Sequence, residues 1–572
     1  MSVFQTNINK IYDKFKIRKN NKSFDSICFP KKYDLQLPQI FLSEFMSPKT
    51  KNMSVLIYHR IGSGKTCTAI RIGEKWKKIK RIVVVLPASL KNNFRTELRT
   101  LCAENNYLKP NERKELALLK PDDSKYKEII AQSNKRIDKY YEIYSYNKFI
   151  DRLKDQTLNL KNSLLIIDEI QNMVSEGGTF YDTLYKALNN APNDLRLVLL
   201  SATPMFDKPN EPALTMNLMR LREKFPTHTD FDKKFIKKII KQDGSITYKP
   251  INMDKFKRLL DGYISYFRGA PAYTFPTMKK KIVYCEMSEF QYNTYLKVAK
   301  NSDNIESSSN KKEDDLNITD LPNNFHLGKR IISNIAFPNK KINEAGFKSL
   351  TNEKILKNLQ MYSVKFYEIM NKISNKSGKM FVYSSFKEYG GIKSFVKVLN
   401  AYGYKNYIKD GPGPLRYAIW SGDEDISTKE KIKTVYNMKN NLKGTQIKIL
   451  IGSIAIKEGV SLSAVRQVHV LEPYWNQSRL EQIIGRASRY CSHKDLDESQ
   501  RNVKVYIYIS TAPNFYTQIV PETVDQYIYK LSIEKSKLIN VFESNIKSIA
   551  IDCALNTNAN TYDGENKIVC GF

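Results

Sequence analysis

The sequence has few of the residues that build disulfide frameworks or zinc sites. Its 572 residues include 5 histidines and 7 cysteines. The cysteines stand at positions 28, 67, 102, 285, 491, 553 and 570, so they are scattered, odd in number and never spaced CxxC. Neither a disulfide framework nor a zinc site can be recognised from such spacing. We therefore expect an intracellular protein from a reducing compartment.

Long apolar runs are missing as well. The longest clean runs, such as Ile82–Leu86 and Leu164–Ile167, have the length of a strand, whereas a membrane span needs roughly 18 apolar residues. The N-terminal residues MSVFQTNINKIYDKF lack the apolar core of a secretory signal. The sequence therefore predicts no membrane partner. Hydrophobic residues still make up 41% of the chain, enough for sizeable cores, which excludes a wholly disordered protein.

Acidic residues are strongly outnumbered by basic ones. The chain has 59 Asp and Glu against 93 Lys and Arg, so its formal net charge is +34. A charge of this size attracts polyanions, most plausibly nucleic acid. A bias toward Lys and Asn from an AT-rich genome is the alternative explanation, and composition alone leaves it open.

Short β-branched runs occur in two sets, and longer stretches of helical character lie between them. Nearly continuous apolar runs are typical of strands that are buried on both faces of a parallel sheet. The alternation therefore predicts an α/β protein with two parallel-sheet units. The runs are Ser54–Tyr58, Ile82–Leu86, Leu164–Ile167 and Leu197–Leu200, then Met380–Ser384, Lys448–Gly452, Gln467–Leu471 and Val503–Ile509.

The remaining segments divide the chain further. We expect an N-terminal extension over 1–30, a first lobe over 31–215, a helical insertion or brace over 216–350, a second lobe over 351–512 and a helical tail over 513–572. The polar run 301–317 has too few apolar residues to pack, which predicts a mobile loop. Residues 231–242, FDKKFIKKIIKQ, predict a helix with lysines on one face, which could contact phosphates or simply be solvated.

A strand followed by a glycine-rich turn and a helix-forming run is the strongest chemical signal. Such a turn directs backbone N–H groups and the positive end of the helix at phosphate oxygens. In this pattern Lys65 would reach the β- and γ-phosphates, and the Thr66 hydroxyl would bind Mg²⁺. The full phosphate-loop pattern has glycine where this chain has His59. The predicted nucleotide-binding residues are His59, Arg60, Ile61, Gly62, Ser63, Gly64, Lys65 and Thr66.

Two adjacent carboxylates, Asp168 and Glu169, end the apolar run Leu164–Ile167. A carboxylate pair at the end of a buried strand is costly unless something cationic lies there. In a nucleotide site Asp168 would hold Mg²⁺ and Glu169 would polarise the attacking water. The two motifs together predict an ATP hydrolase, with ATP and Mg²⁺ as its cofactors.

The order and spacing of four motifs resemble those of superfamily 2 helicases. They are His59–Thr66, Asp168–Gln171, Ser201–Pro204 and Gln482–Arg489. The resemblance implies two RecA-like lobes with ATP in the cleft between them. It also implies roles for further residues: Ser201, Ala202, Thr203 and Gln171 in coupling, Gln482, Arg486 and Arg489 in hydrolysis from the second lobe, Gln39 at the adenine, and Gly459 at the nucleotide.

A narrower resemblance covers about residues 33–553. Residues 457–462, 468–475, 490–496 and 551–553 are similar to helicase-like ATPases of large cytoplasmic DNA viruses, of the nucleoside triphosphate phosphohydrolase I and early transcription factor small subunit type. Linear cytoplasmic plasmids of yeast encode similar proteins. Gln171 departs from the pattern because it replaces the usual histidine of the Asp-Glu-x-His box, which puts the coupling of that histidine in doubt.

This resemblance implies an ATPase that translocates on nucleic acid, with DNA favoured and RNA possible as the partner. It implies a place in viral-type cytoplasmic transcription, with an RNA polymerase or transcription complex as a further partner. The corresponding location is the cytoplasm of an infected or plasmid-bearing cell, or a virion. A strand-separating RNA helicase is the alternative function, and a non-catalytic scaffold is the third.

Overall fold

The chain divides into two units that are connected along the sequence. Unit 1 comprises Met1–Ala272 and Lys537–Phe572, and unit 2 comprises Tyr273–Ser536. Each unit is built on a parallel sheet, which confirms the predicted α/β class with two parallel-sheet lobes. The structure is a computed structural model that describes residues 2–18, 22–31, 34–60, 62–119, 123–174, 178–203, 205, 209–240, 246–306, 326–374, 376–457, 460–514, 522–562 and 565–571.

Unit 1 contains a six-stranded sheet in the order β3-β2-β4-β5-β1-β8. Every neighbouring pair is parallel, so the carboxyl ends of the strands meet at one edge. Apolar side chains are buried on both faces because helices cover both sides, as the continuous apolar runs predict. The strands are β1 (Ser54–His59), β2 (Arg81–Leu86), β3 (Tyr141–Ser145), β4 (Ser163–Ile167), β5 (Arg196–Ser201) and β8 (Ile264–Phe267).

The helices of unit 1 connect these strands and pack on them. The long α22 (Val524–Ser548) begins in unit 2 and contributes its last turns to unit 1. The others are α1 (Val3–Ile11), α2 (Phe24–Cys28), α3 (Leu37–Phe45), α4 (Lys65–Trp76), α5 (Lys91–Leu98), α6 (Pro110–Leu116), α7 (Ser124–Asp138), α8 (Tyr146–Lys154), α9 (Tyr181–Asn189), α10 (Glu211–Asn217), α11 (His228–Phe235), α12 (Met253–Leu260) and α23 (Cys553–Asn560).

The helix predicted over 231–242 is wrong in its second half. Helix α11 ends at Phe235, and the chain continues as strand β6 (Ile236–Ile240), which pairs antiparallel with β7 (Ile246–Pro250). Isoleucines are β-branched and favour strands, and here they outweigh the helical spacing of the lysines. Lys237 and Lys238 are exposed on this hairpin, and Lys241 lies outside the described residues.

Unit 2 contains a seven-stranded parallel sheet in the order β11-β12-β13-β10-β14-β15-β9. All four strands predicted for the second lobe are present in it. Its strands are β9 (Thr277–Glu286), β10 (Lys379–Tyr383), β11 (Lys405–Asn406), β12 (Arg416–Trp420), β13 (Ile449–Gly452), β14 (Val465–Val470) and β15 (Asn502–Thr511). Its other helices are α13 (Glu289–Glu306), α14 (Leu327–Asn334), α15 (Glu344–Ser349), α16 (Asn352–Tyr362), α17 (Val364–Ile373), α18 (Ile392–Ala401), α19 (Tyr407–Asp410), α20 (Ile426–Asn437) and α21 (Gln477–Ala487).

Residues 216–350, predicted to form a helical insertion, are divided between the two units. They contain helices, but they also supply β8 to the first sheet and β9 to the second. Helix α13 continues to Glu306, into the predicted mobile loop 301–317, and 307–317 lie outside the described residues. Within the described part of the chain, no helix is both long enough and apolar enough to cross a membrane.

The structure contains disulfides that could not be recognised from the spacing of the cysteines. Cys67 is disulfide-bonded to Cys102, and Cys553 is disulfide-bonded to Cys570. Cys285 is a buried free cysteine. Partners separated by 35 and 17 positions carry no local spacing signal, and only the fold brings them together.

Candidate active site

The predicted phosphate loop follows β1 at the carboxyl edge of the first sheet. Gly62 and Gly64 have φ angles of 84° and 80°, a left-handed conformation that glycine adopts without strain. Gly64 is the N-cap of α4, so the backbone turns directly into the helix at Lys65. The positive end of α4 therefore opens at the loop, as an anion site requires. Ile61 lies outside the described residues.

Gln39 lies directly against this loop. Its Nε2 donates a hydrogen bond to the Gly64 carbonyl over 3.3 Å, and its Oε1 accepts one from the Gln36 backbone N–H over 2.8 Å. A Cβ atom at Gly64 would lie 2.4 Å from the Gln39 amide nitrogen, and the φ of 80° is one that other residues rarely adopt, so both features favour glycine. The structure thus places Gln39 at the loop, in agreement with its predicted location, and its contact with adenine stays a prediction.

Hydrogen bonds from side chains of the loop to its own carbonyl groups fix its conformation. Lys65 Nζ donates to the His59 carbonyl over 3.1 Å, and Ser63 Oγ donates to the Arg60 carbonyl over 2.6 Å. The Arg60 backbone N–H donates to the Phe267 carbonyl of β8 over 3.0 Å, which joins the loop to the neighbouring strand. The Lys65 ammonium group is half-buried and can exchange its carbonyl partner for a phosphate oxygen.

His59 occupies the position of the usual first glycine and is only 1% exposed. Its Nε2 lies 2.8 Å from Ser265 Oγ, and Ser265 Oγ donates to Asp552 Oδ2 over 2.6 Å. Burial, with a smaller effect of the Lys65 charge, lowers the pKa of His59 to about 3, so the imidazole is neutral. Burial raises the pKa of Asp552 to about 6, although hydrogen bonds to this carboxylate oppose the rise. Sequence reasoning missed Ser265 in this role, and Asp552 was noted only as part of the resemblance.

The two carboxylates follow β4, which is separated from β1 by β5. Since neighbouring strands lie about 4.8 Å apart, the ends of β1 and β4 are about 10 Å apart, which leaves room for phosphates and a cation. Asp168 is 8% exposed, and its Oδ1 accepts from the Glu169 backbone N–H over 2.9 Å. Tyr146, which sequence reasoning also missed here, donates its hydroxyl to the Asp168 and Glu169 carbonyls over 2.7 and 3.0 Å.

Gln171 connects the carboxylates to the end of β5. Its Nε2 donates to Glu169 Oε2 over 2.6 Å, and its Oε1 accepts from Ser201 Oγ over 2.7 Å. Ser201 Oγ in turn accepts from the Thr203 backbone N–H over 3.0 Å. A side-chain amide has both a donor and an acceptor, so glutamine links both neighbours at the position where the family has histidine. Ala202 is buried beside Ser201.

Thr66 is the second residue of α4, and the residues predicted to act from the second lobe lie in unit 2. Gln482 and Arg486 are buried on α21, one turn apart, and Arg489 follows the end of that helix. Arg489 Nη1 donates to Ser461 Oγ over 2.6 Å, and the Arg486 carbonyl accepts from the Leu462 backbone N–H over 3.0 Å. These bonds fix the segment after β13 against α21. Gly459 lies outside the described residues. The role of these arginines in hydrolysis stays a prediction.

Comparisons with known proteins find two family domains in this chain. The SNF2-related domain matches residues 38–345, and the helicase conserved C-terminal domain matches residues 364–491. A protein of Acanthamoeba polyphaga mimivirus, named "Putative ATP-dependent RNA helicase", is 48% identical over 98% of this chain and 96% of its own length. The termination factor NPH-I homolog of African swine fever virus is 26% identical over 88% of this chain and 76% of its own length.

Among solved structures, the SWI2/SNF2 ATPase core of Sulfolobus solfataricus in complex with dsDNA matches 90% of this chain and 95% of its own. It shares 16% sequence identity with a TM-score of 0.32, which is too low to support any argument about this chain. The family rests instead on the domain matches and on the mimivirus relative. This chain belongs to the SNF2-related family of superfamily 2 helicases and is an ATP hydrolase.

Proposed function

We propose that this protein is a DNA-dependent ATPase that couples ATP hydrolysis to translocation along DNA, as part of a virus-type transcription apparatus. The observation that carries the proposal is the hydrogen-bond chain from Glu169 through Gln171 to Ser201. It joins the carboxylate that would act on ATP to the strand end that the family uses for coupling. A fold that only bound nucleotide would have no need of such a connection.

The phosphate loop binds the β- and γ-phosphates through its backbone N–H groups and Lys65. Thr66 and Asp168 would hold Mg²⁺, because a hydroxyl and a carboxylate oxygen are the hard donors that this ion prefers. A bound Mg²⁺ would neutralise charge on the phosphate oxygens. Gln39, beside the loop, would recognise the adenine.

Glu169 accepts a proton from the attacking water and is positioned for this by Gln171. When the carboxylate changes its charge, the hydrogen bond to Gln171 weakens, and the change reaches Ser201 and the backbone at Thr203. Movement of this strand end would transmit the conformational change from the nucleotide site to the nucleic acid. Gln171 thereby replaces the coupling that the family's histidine makes.

The charge of the chain supports a nucleic-acid partner. A net charge of +34 favours contact with phosphates, which carry no base information, so sequence preference should be slight. DNA is favoured by the resemblance to ATPases of large cytoplasmic DNA viruses, and the African swine fever virus relative is named as a termination factor, which suits a role in transcription. An RNA polymerase complex would then be the further partner, in the infected cell or the virion.

A strand-separating RNA helicase is the second candidate. The mimivirus relative is named as an RNA helicase, and its identity to this chain is higher than that of the termination factor. A non-catalytic scaffold is disfavoured because Lys65, Asp168 and Glu169 are all present at the edge of the first sheet.

Steady-state ATP hydrolysis at low salt distinguishes these candidates. The reaction is measured without nucleic acid and with single-stranded DNA, duplex DNA and single-stranded RNA, and Lys65→Ala is the matched control for contaminating ATPases. We expect selective stimulation by DNA. Selective stimulation by RNA would support the second candidate, and ATP binding without turnover under any condition would support the scaffold.

A further inference from the structure

The C-terminal segment 551–560 covers the free edge of β8, the last strand of the first sheet. The Ile551 backbone N–H donates to the Ile264 carbonyl over 2.7 Å, and Asp552 Oδ1 accepts from the Tyr266 backbone N–H over 2.9 Å. Asn560 Oδ1 accepts from the Arg268 backbone N–H over 2.8 Å. The segment therefore satisfies edge groups that would otherwise be exposed. It also connects the Asp552 carboxylate to His59 of the phosphate loop through the side chain of Ser265.

Asp552 is fully buried and accepts every hydrogen bond that it makes with its neighbours. Oδ2 accepts from Ser265 Oγ and from Asn556 Nδ2 over 2.6 and 2.9 Å, and Oδ1 accepts from the Tyr266 N–H. The Ser265 hydroxyl has one proton, and this proton points at the carboxylate. Ser265 Oγ can therefore only accept from His59, so the neutral imidazole carries its proton on Nε2.

The other ring nitrogen supports the same assignment. Among the described residues, His59 Nδ1 is buried without a hydrogen-bond partner. A buried N–H donor without an acceptor is rarer in proteins than an acceptor whose lone pair is unused. With its proton on Nε2, the imidazole leaves an unused lone pair on Nδ1 and no unsatisfied donor.

We propose that Asp552 is a positioning residue of the nucleotide site: through Ser265 it fixes the tautomer and orientation of His59, and thereby holds the first residue of the phosphate loop in the conformation that binds ATP. His59 is the last residue of β1, and its carbonyl accepts a hydrogen bond from the Lys65 ammonium group. An imidazole held in one orientation keeps that carbonyl, and the loop that follows, in place. The inference rests on the proposed role of this loop in binding phosphates.

Asp552→Asn reverses the direction of the hydrogen bonds while keeping the shape of the side chain. The Asn amide donates to Ser265 Oγ, the Ser265 hydroxyl donates to His59 Nε2, and the imidazole proton moves to Nδ1, where it has no partner. We expect KM for ATP to rise about tenfold with kcat within about twofold, as for a lost interaction that binds substrate and transition state equally. Ser265→Ala should raise KM similarly, and the double variant should be no worse than Ser265→Ala alone.

Imidazole nitrogen shifts in protein labelled with ¹⁵N-histidine report the tautomer directly. There are 5 histidines, and His59→Gln assigns the signal of interest. At pH 7.5 we expect the Nε2–H form of His59 in the wild type and its loss in Asp552→Asn, in which the Ser265 hydroxyl donates to Nε2. An Nδ1–H form in the wild type would overturn the inference, and this measurement needs neither test variant to fold.

The matched control is Gln5→Ala. Gln5 is buried and donates to the Ser548 and Ala550 carbonyls over 2.9 Å each, so it anchors the chain just before this segment, and its side chain takes no part in the hydrogen bonds described for Asp552 and Ser265. We expect it to lower Tm but to leave KM and the His59 tautomer unchanged. Equal rises of KM in Gln5→Ala and Asp552→Asn would show a merely structural role and overturn the inference. Wild-type hydrolysis by Lys65→Ala would instead overturn the proposed function of the loop.

Discussion

At the scale of single residues, the proposed coupling of ATP hydrolysis depends on Gln171. Its amide bonds Glu169 on one side and Ser201 on the other, over 2.6 and 2.7 Å. We expect Gln171→Ala to lower the nucleic-acid-stimulated kcat about tenfold or more, since a hydrogen bond to a charged group contributes about 1.5–3 kcal/mol. Stimulated hydrolysis with and without the substitution is the measurement.

Ser201→Ala removes the other end of the same connection and serves as the partner variant. The two substitutions should be non-additive, so that the double variant hydrolyses ATP about as fast as the slower single variant. Additive losses, or wild-type stimulated turnover in Gln171→Ala, would contradict the coupling role.

Buried histidines set part of the pH dependence of stability. His469 is fully buried between Tyr508 and Gln467, and burial, with a smaller effect of the Lys372 charge, lowers its pKa from 6.5 to about 3. The unfolded chain therefore binds a proton below pH 6.5 that the folded chain does not bind. The stabilisation is full above pH 6.5 and is lost as the pH falls, at about 1.4 kcal/mol per pH unit.

His469→Gln removes this proton linkage. We expect the variant to be less stable than the wild type at pH 7.5, with a difference that shrinks as the pH falls from 6.5 toward 4. Free energies of unfolding from urea titrations at several pH values give both curves. Parallel curves would contradict the assignment of a neutral buried imidazole.

The phosphate loop could be predicted from the sequence, but the distant residues that support it could not. His59 to Thr66 are consecutive residues, so their order alone indicates a phosphate loop. The partner of His59, Ser265, is 206 positions away, and Asp552 is a further 287 positions from Ser265. Only the parallel sheet and the returning C-terminal segment bring these side chains together.

At the scale of secondary-structure elements, a disulfide fixes the first turn of α4. Cys67 is bonded to Cys102 across a sequence separation of 35 residues. A cross-link that closes a loop of this length stabilises the fold by about 3–4 kcal/mol, chiefly through the unfolded state. We expect Cys102→Ala to lower the free energy of unfolding by about this amount under oxidising conditions.

Reductant provides the internal check on this disulfide. Dithiothreitol should destabilise the wild type and have a smaller effect on Cys102→Ala. Cys285→Ala, which removes a buried free cysteine, should respond to reductant as the wild type does. A wild-type protein whose unfolding is insensitive to reductant would contradict the cross-link.

Burial explains part of the difference between the strands that could be predicted and those that could not. Strands such as β1 and β4 are buried along their whole length, so β-branched runs indicate them directly. Strands β3 and β9 lie at sheet edges, where three side chains of β3 are half-buried and most of those of β9 are exposed. Polar residues are tolerated there, which removes the apolar signal. Because of its lysines, β9 lacks the apolar pattern of a strand, and its residues were predicted to belong to a helical insertion.

At the scale of the whole molecule, the charge of +34 should govern affinity for nucleic acid. Each phosphate contact on duplex DNA releases counterions, so binding weakens steeply with salt. We expect the affinity for DNA to fall at least about tenfold between 50 and 200 mM salt. Release of counterions from only about two phosphate contacts is enough for a fall of this size. Fluorescence anisotropy of labelled DNA measures this, and an affinity independent of salt would contradict a phosphate-dominated interface.

In the proposed mechanism, Glu169, at the end of β4, acts on the water that attacks ATP. Glu169→Gln keeps the shape of the side chain and removes its basicity. DNA-stimulated hydrolysis and ATP binding are therefore measured in parallel for the wild type and this variant. We expect unchanged ATP affinity and a loss of turnover of about 100-fold or more, as for removal of a general base. Undiminished hydrolysis by Glu169→Gln would contradict the account.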